Sequence, residues 1–171
     1  MAERIIAIGG IPASGKTTLM RNIIKHYMPL KTFKYKLVQG LYNRQKNIYI
    51  IGIYTNELFS GTDKLSMAVQ PHFIELIKKV PRGTFLFEGD RLFNQSLFDK
   101  VKCEKIILET DSKVIESRHV ERNDTQTERF KKSKQTKIQN IINKNNVTLM
   151  PNNNQTEAKD ILNYIIKLIE K

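Results

Sequence analysis

The sequence predicts an α/β fold: a mainly parallel five-stranded sheet with helices on both faces. Two observations predict it. Short apolar runs alternate with stretches of helical periodicity, the order that places a parallel sheet between helices. Each polar motif that could carry chemistry falls just after one of the apolar runs, and parallel sheets bind ligands beyond the carboxyl ends of their strands.

In chain order, Arg4–Gly9 reads as a buried strand. Lys16–Tyr27 reads as a helix, with Leu19, Ile23, Ile24 and Tyr27 at helical spacing. Tyr35–Leu41 and Ile48–Tyr54 are β-rich runs on either side of Asn43-Arg-Gln-Lys-Asn47, a hairpin pattern. Met67–Val80 is helical, capped near Ser66 and ended by Pro81-Arg-Gly83. Thr84–Glu88 is a short apolar strand, Asn94–Lys102 a short helix and Lys105–Glu109 another buried strand. Ser112–Asn143 is a long polar helical stretch with a break near Asn123-Asp124. Val147–Met150 is the last strand before Pro151, and Glu157–Glu170 a closing amphipathic helix.

A chain of 171 residues makes one domain over 1–171, and its 40% hydrophobic and 27% charged content is that of a globular protein. No apolar run approaches the roughly 20 residues of a membrane span. The chain enters Arg4-Ile-Ile-Ala-Ile8 without a basic region and apolar signal core, and Cys103 has no second cysteine to pair with. Both features imply a reducing cytoplasm, with Cys103 as a packing residue. The net charge of +12 is uneven: the 53 residues from Arg4 to Asn56 hold nine Lys/Arg and no acid. Ser112–Asn146 holds nine Lys/Arg against four acids. Codon bias accounts for many lysines but not for so long a stretch without a carboxylate, so a polyanionic partner such as DNA is favoured.

Gly10-Ile-Pro-Ala-Ser-Gly-Lys-Thr17 stands between the first strand and the first helix. Glycines in this pattern let backbone N–H groups converge on phosphate oxygens, and the following helix presents its positive end to the anion. Gly10, Ala13, Ser14, Gly15 and Thr18 would form the cradle of a nucleoside triphosphate. Lys16 would bridge the β- and γ-phosphates, and the Thr17 hydroxyl would ligate Mg²⁺.

Thr84-Phe-Leu-Phe-Glu-Gly-Asp-Arg91 carries an apolar strand into two acids. Phosphoryl transfer needs a carboxylate near the metal, and transfer to a hydroxyl gains from another that accepts its proton. Glu88 and Asp90, two apart, would point the same way if the strand continued. Either can be metal-associated or base, with Glu88 placed beside the metal. Arg91 would bind a substrate phosphate or steady one of the acids. In Ser60-Gly-Thr-Asp-Lys-Leu-Ser66, Asp63 is an alternative base or a substrate ligand. Tyr54, Phe59 and Lys64 would supply a stacking face and a phosphate contact. His72 reads as a surface or packing residue.

Arg118 and Arg122, i and i+4, would share a helix face within an Arg-rich lid spanning roughly 112–137. Their guanidiniums would reach over the triphosphate, with Arg129 behind them. Lys131-Lys-Ser-Lys-Gln-Thr-Lys137 carries more charge than one triphosphate needs and would touch a nucleic-acid backbone. Pro151-Asn-Asn-Asn-Gln-Thr156 either borders a nucleotide base or is a plain polar loop.

Taken together, the cradle, the strand-end acids and the lid resemble the nucleoside and nucleotide kinase branch of P-loop proteins. That resemblance implies a three-layer P-loop NTPase sandwich. More narrowly, Gly61-Thr-Asp-Lys-Leu-Ser-Met67, Phe87-Glu-Gly-Asp-Arg-Leu92 and Arg118…Arg122-Asn-Asp-Thr-Gln126…Thr136-Lys137…Asn140-Ile141 resemble small bacteriophage P-loop kinases. Among these are kinases of 5-hydroxymethyluracil in phage DNA. The resemblance implies an ATP- and Mg²⁺-dependent kinase acting on a nucleotide hydroxyl, with a 5-hydroxymethylpyrimidine (5-hydroxymethyluracil) in phage DNA as the favoured acceptor. A small-molecule nucleoside or nucleotide kinase, a polynucleotide 5′-hydroxyl kinase and a DNA-binding ATPase stay open as alternatives.

Overall fold

A computed structural model describes residues 4–56, 60–123 and 126–171. Its centre is a seven-stranded, mostly parallel sheet. The strands are β1 (Arg4–Gly9), β2 (Lys31–Tyr35), β3 (Val38–Asn43), β4 (Ile48–Ile51), β5 (Thr84–Glu88), β6 (Glu104–Glu109) and β7 (Thr148–Pro151). They lie in the order β2-β3-β4-β5-β1-β6-β7. The five from β4 to β7 along that order run parallel. The other two, β2 and β3, extend the sheet antiparallel beyond β4.

Seven strands correct the predicted five: all six β runs of the sequence join the sheet, and one of them contributes to two strands for a local reason. The Tyr35–Leu41 run is not one strand: Lys36, at a φ of 52°, turns the chain between Tyr35 and Val38, which pair with each other. Upstream, Lys31–Tyr35 has lysine and threonine on its open positions, so its one-sided burial leaves no apolar run to notice.

The helices are α1 (Lys16–His26), α2 (Val69–Lys79), α3 (Gln95–Phe98), α4 (Ser112–Glu121), α5 (Glu128–Lys144) and α6 (Gln155–Glu170). Alternation along the strands builds a core on each face of the sheet. Ile6, Ile8 and Leu86 join Leu19, Met20 and Ile23 of α1 and Ile161 and Ile165 of α6 on one face. Ile5, Ala7, Phe85 and Phe87 meet Phe73 and Ile77 of α2 and Ile141 of α5 on the other. Cys103 is buried in that second core, where burial pushes its thiol up to about 12, as expected of a packing residue. No helix among the described residues is long and apolar enough to cross a membrane.

Beside the β2–β3 hairpin, Glu75 of α2 accepts from the Tyr35 hydroxyl (2.7 Å) and pairs with Lys36 (2.6 Å) and Lys79 (3.3 Å). The Lys36 hydrogen bond, then that of Tyr35, lowers the Glu75 carboxyl from 4.5 to about 2. A depressed carboxylate stabilises the fold above its unfolded value, and that contribution is lost as pH falls from about 4.5 towards 2. Glu75→Gln should therefore lower the urea midpoint at neutral pH, and the gap from the parent should narrow in acid. Exposure keeps the effect small. An equal gap in acid and at neutral pH would show that the ion pairs contribute nothing.

Candidate phosphoryl-transfer site

The loop leaving β1 takes backbone angles that L-residues rarely adopt. Gly10 has a φ of 149°, Ala13 of 65° and Gly15 of 99°. A Cβ on Gly15 would lie 2.3 Å from the Asn152 side-chain nitrogen, so only glycine fits there. Asn152, just past β7, donates from that nitrogen to the Ser14 carbonyl (2.7 Å), tying the loop to the far side of the sheet. Arg118 reinforces the tie, donating to the Ala13 carbonyl (3.0 Å) and the Asn152 carbonyl (2.9 Å). Lys16 hooks back over the loop, its ammonium on the carbonyls of Gly10 (2.7 Å) and Ile11 (3.0 Å). Burial lowers its pKa, against the opposing pull of Glu88, Asp90 and Asp63.

At the end of β5, Glu88 is 2% exposed. Its Oε1 lies 3.4 Å from the Thr17 hydroxyl and 3.5 Å from the Tyr54 hydroxyl. Burial pushes its carboxyl up to about 7, with Lys16 pulling the other way. Burial, and then the Glu88 charge, raises the Tyr54 phenol well above its ordinary value.

The segment from Ser60 to Leu65 folds tightly over this strand end. Thr62 donates to the Glu88 carbonyl (2.8 Å), and Asp63 accepts from the Asp90 N–H (2.9 Å). Close approach is possible because both facing residues are glycines: a Cβ on Gly61 would lie 2.2 Å from Glu88 Oε1, and one on Gly89 2.6 Å from Thr62 Oγ1.

Asp90 reaches the cleft by another route than strand alternation. The strand stops at Glu88, and Gly89, at a φ of 105°, turns the chain. The Asp90 carboxylate meets Lys134 and Lys137 of α5. Burial works to raise its pKa, but the two ammoniums outweigh it and hold the group below its ordinary value.

One cleft brings Lys16, Thr17, Asp63, Glu88, Asp90 and Arg122 together, with Phe130 and Lys134 of α5 on its other wall. A second recess adjoins it, where Gly15, Thr18, Arg118 and Asn153 face one another. Arg118 and Arg122 thus both border the glycine loop. Arg129 is exposed and lines neither space.

Other expected residues go elsewhere. Arg91 donates to the Leu65 carbonyl (3.2 Å) and is not among the cleft residues, so it steadies the Ser60–Leu65 segment instead of an acid. Lys64 lies 3.4 Å from the Thr55 hydroxyl. His72, read from the sequence as a surface or packing residue, is half-buried outside the cleft, and Phe59 and Asp124 lie outside the described residues. Sequence reasoning gave Lys134 and Lys137 a nucleic-acid contact and Asn152 a place in a loop that borders a base or is plainly polar; the ties of the lysines to Asp90, of Asn152 to Ser14 and of Thr62 to Glu88 were not assigned.

Among the described residues no group of three or more His, Cys, Asp or Glu side chains is placed to hold a metal ion. The Thr17 hydroxyl and Glu88 carboxylate do form a pair of hard oxygen donors beside the glycine loop. Such a pair fits Mg²⁺, which is commonly held by one or two protein oxygens and completed by phosphates and water. No family model matches the chain, and no curated protein matches it.

Proposed function

We propose that the protein is a kinase that moves the γ-phosphate of ATP to a hydroxyl of a nucleotide. The observation that carries this is the single cleft in which Lys16 and Thr17 at the glycine loop face Glu88, Asp90 and Asp63 at the strand end. The finer fold reading that goes with it is a three-layer P-loop NTPase sandwich whose lid, roughly 112–137, runs from α4 into the first half of α5. Lys16 and the loop amides hold the triphosphate, while Thr17 and Glu88 hold Mg²⁺, which offsets phosphate charge when bound. The recess at Thr18, Arg118 and Asn153 takes the nucleoside end.

In the transfer, the acceptor oxygen forms a bond to the γ-phosphorus and the bond from that phosphorus to the β–γ bridging oxygen breaks, leaving ADP. The hydroxyl proton passes to Asp90, with Asp63 as the next carboxylate in reach, and then to water. Arg122 offsets charge on the transferring group. In this reading Glu88 is the metal-side acid, supported by its burial against Thr17, and Asp90 is the base. A hydroxymethylpyrimidine in DNA is the favoured acceptor, supported by the acid-free basic stretch and by the resemblance to phage kinases.

Incubation with γ-labelled ATP and free nucleosides, nucleotides, plain DNA and hydroxymethylpyrimidine DNA tests this. Label should appear on the hydroxymethylpyrimidine polymer. Label in inorganic phosphate alone would sink the kinase reading, and label on mononucleotides alone would sink the DNA acceptor.

A further inference from the structure

Asp90 is held in an unusual way. One carboxylate meets two ammoniums, Lys134 at Oδ2 and Lys137 at Oδ1 (3.2 Å), three residues apart on α5. One negative charge cannot neutralise two positive ones, so the pair keeps a surplus cation at the mouth of the cleft. Asp90, Lys134 and Lys137 keep 37, 26 and 34% of their side-chain surface exposed, so an anion can reach both lysines. Ion pairs this open are weak and exchange partners readily. Phe130, one turn before Lys134, is 42% exposed on the cleft wall, with the Lys134 ammonium 5.1 Å from its ring centre. An exposed ring beside two displaceable ammoniums suits a nucleotide, base on the ring and phosphate on the lysines.

Resting on the kinase reading, we propose that Lys134 and Lys137 bind a phosphate of the acceptor, and that Asp90 occupies their site until it arrives. The lysines are the moving part. The Asp90 backbone is fixed by its N–H bond to Asp63, whereas lysine ammoniums sit on flexible four-carbon stems. Arrival of the acceptor phosphate draws the ammoniums off Asp90 and leaves its carboxylate facing the cleft. The proton acceptor is therefore masked while the acceptor site is empty, which restrains transfer of the γ-phosphate to water.

Binding of a fluorescein-labelled oligothymidylate and of thymidine 5′-monophosphate, without ATP, tests this directly. Asp90→Asn removes the competitor and should tighten binding by roughly threefold to tenfold while phosphoryl transfer falls. Lys134→Ala/Lys137→Ala should weaken binding and flatten the salt dependence by about 1.4 in log–log slope for a single strand. The same double variant should hydrolyse ATP faster in the absence of acceptor. Tightening for the oligonucleotide alone assigns the phosphate to a strand; tightening for the monophosphate too assigns it to a free nucleotide. No tightening for either overturns the proposal, because a purely structural ion pair would leave binding unchanged or weaken it. Binding changes as expected without transfer to any acceptor would keep the lysine site and sink the kinase reading.

Discussion

Lys16→Ala is expected to reduce ATP-dependent phosphoryl transfer by about a thousandfold or more while the protein still folds. The ammonium is placed in advance: it rests on the Gly10 and Ile11 carbonyls at the centre of the loop, so little reorganisation is needed when phosphate oxygens replace them. Donors fixed in a site shielded from water act most strongly on charge that develops during reaction. Stability should respond differently. Truncation leaves two carbonyls without this donor, a destabilising change. It also removes a cation whose burial is costly enough to lower its pKa. These effects oppose, so the melting temperature should move by only a few degrees. Steady-state transfer from γ-labelled ATP and a thermal melt check both halves. Turnover close to that of the parent would remove the glycine loop from phosphate binding.

The readable parts of the site are those made by neighbours in sequence. Gly10 to Thr17 forms its loop from its own glycines, and β5 is buried on both faces with an unbroken apolar run at Phe85–Phe87, so both could be located from pattern alone. Alternation then misled at one point. It assigned Asp90 and Glu88 the same direction through a continuing strand, but Gly89 ends the strand, and Arg91 swings to Leu65 as a result. The Ser60–Leu65 segment was placed near the acceptor, yet its main structural role, clamping Glu88 through Thr62 and Asp90 through Asp63, is tertiary and leaves no periodic trace. Asn152 lies 138 residues from its Ser14 partner, and Lys134 44 residues from Asp90. Such pairings follow from topology, which a single sequence does not display. Strand β2 escaped for a simpler reason: an edge strand half covered by lysine has no apolar run to find.

Gly61→Ala should cost nearly as much activity as loss of the Glu88 carboxylate itself, on the order of a hundredfold or more. Gly61 adopts φ 86° and ψ −145°, a backbone region that is almost confined to glycine and costs other residues about 1–3 kcal/mol. Its added Cβ would lie 2.2 Å from Glu88 Oε1 and 2.9 Å from Cδ. The backbone has no room to retreat. Gly61 exchanges hydrogen bonds with Ile53 (3.0 and 2.8 Å), and Gly52 presses on it so closely that a Cβ there would meet the Gly61 carbonyl carbon at 2.4 Å. The side chain of Glu88 must therefore shift from its present place beside Thr17, which disturbs the hard-oxygen pair. Glu88→Gln removes the charge without the strain, so it should match the loss in turnover while sparing the melting temperature. The double variant then separates cause from coincidence. If Gly61→Ala acts through Glu88, Gly61→Ala/Glu88→Gln loses no more activity than either single change, while its melting temperature follows Gly61→Ala. Multiplying losses in turnover would show instead that Gly61 shapes the site by a route that does not pass through Glu88.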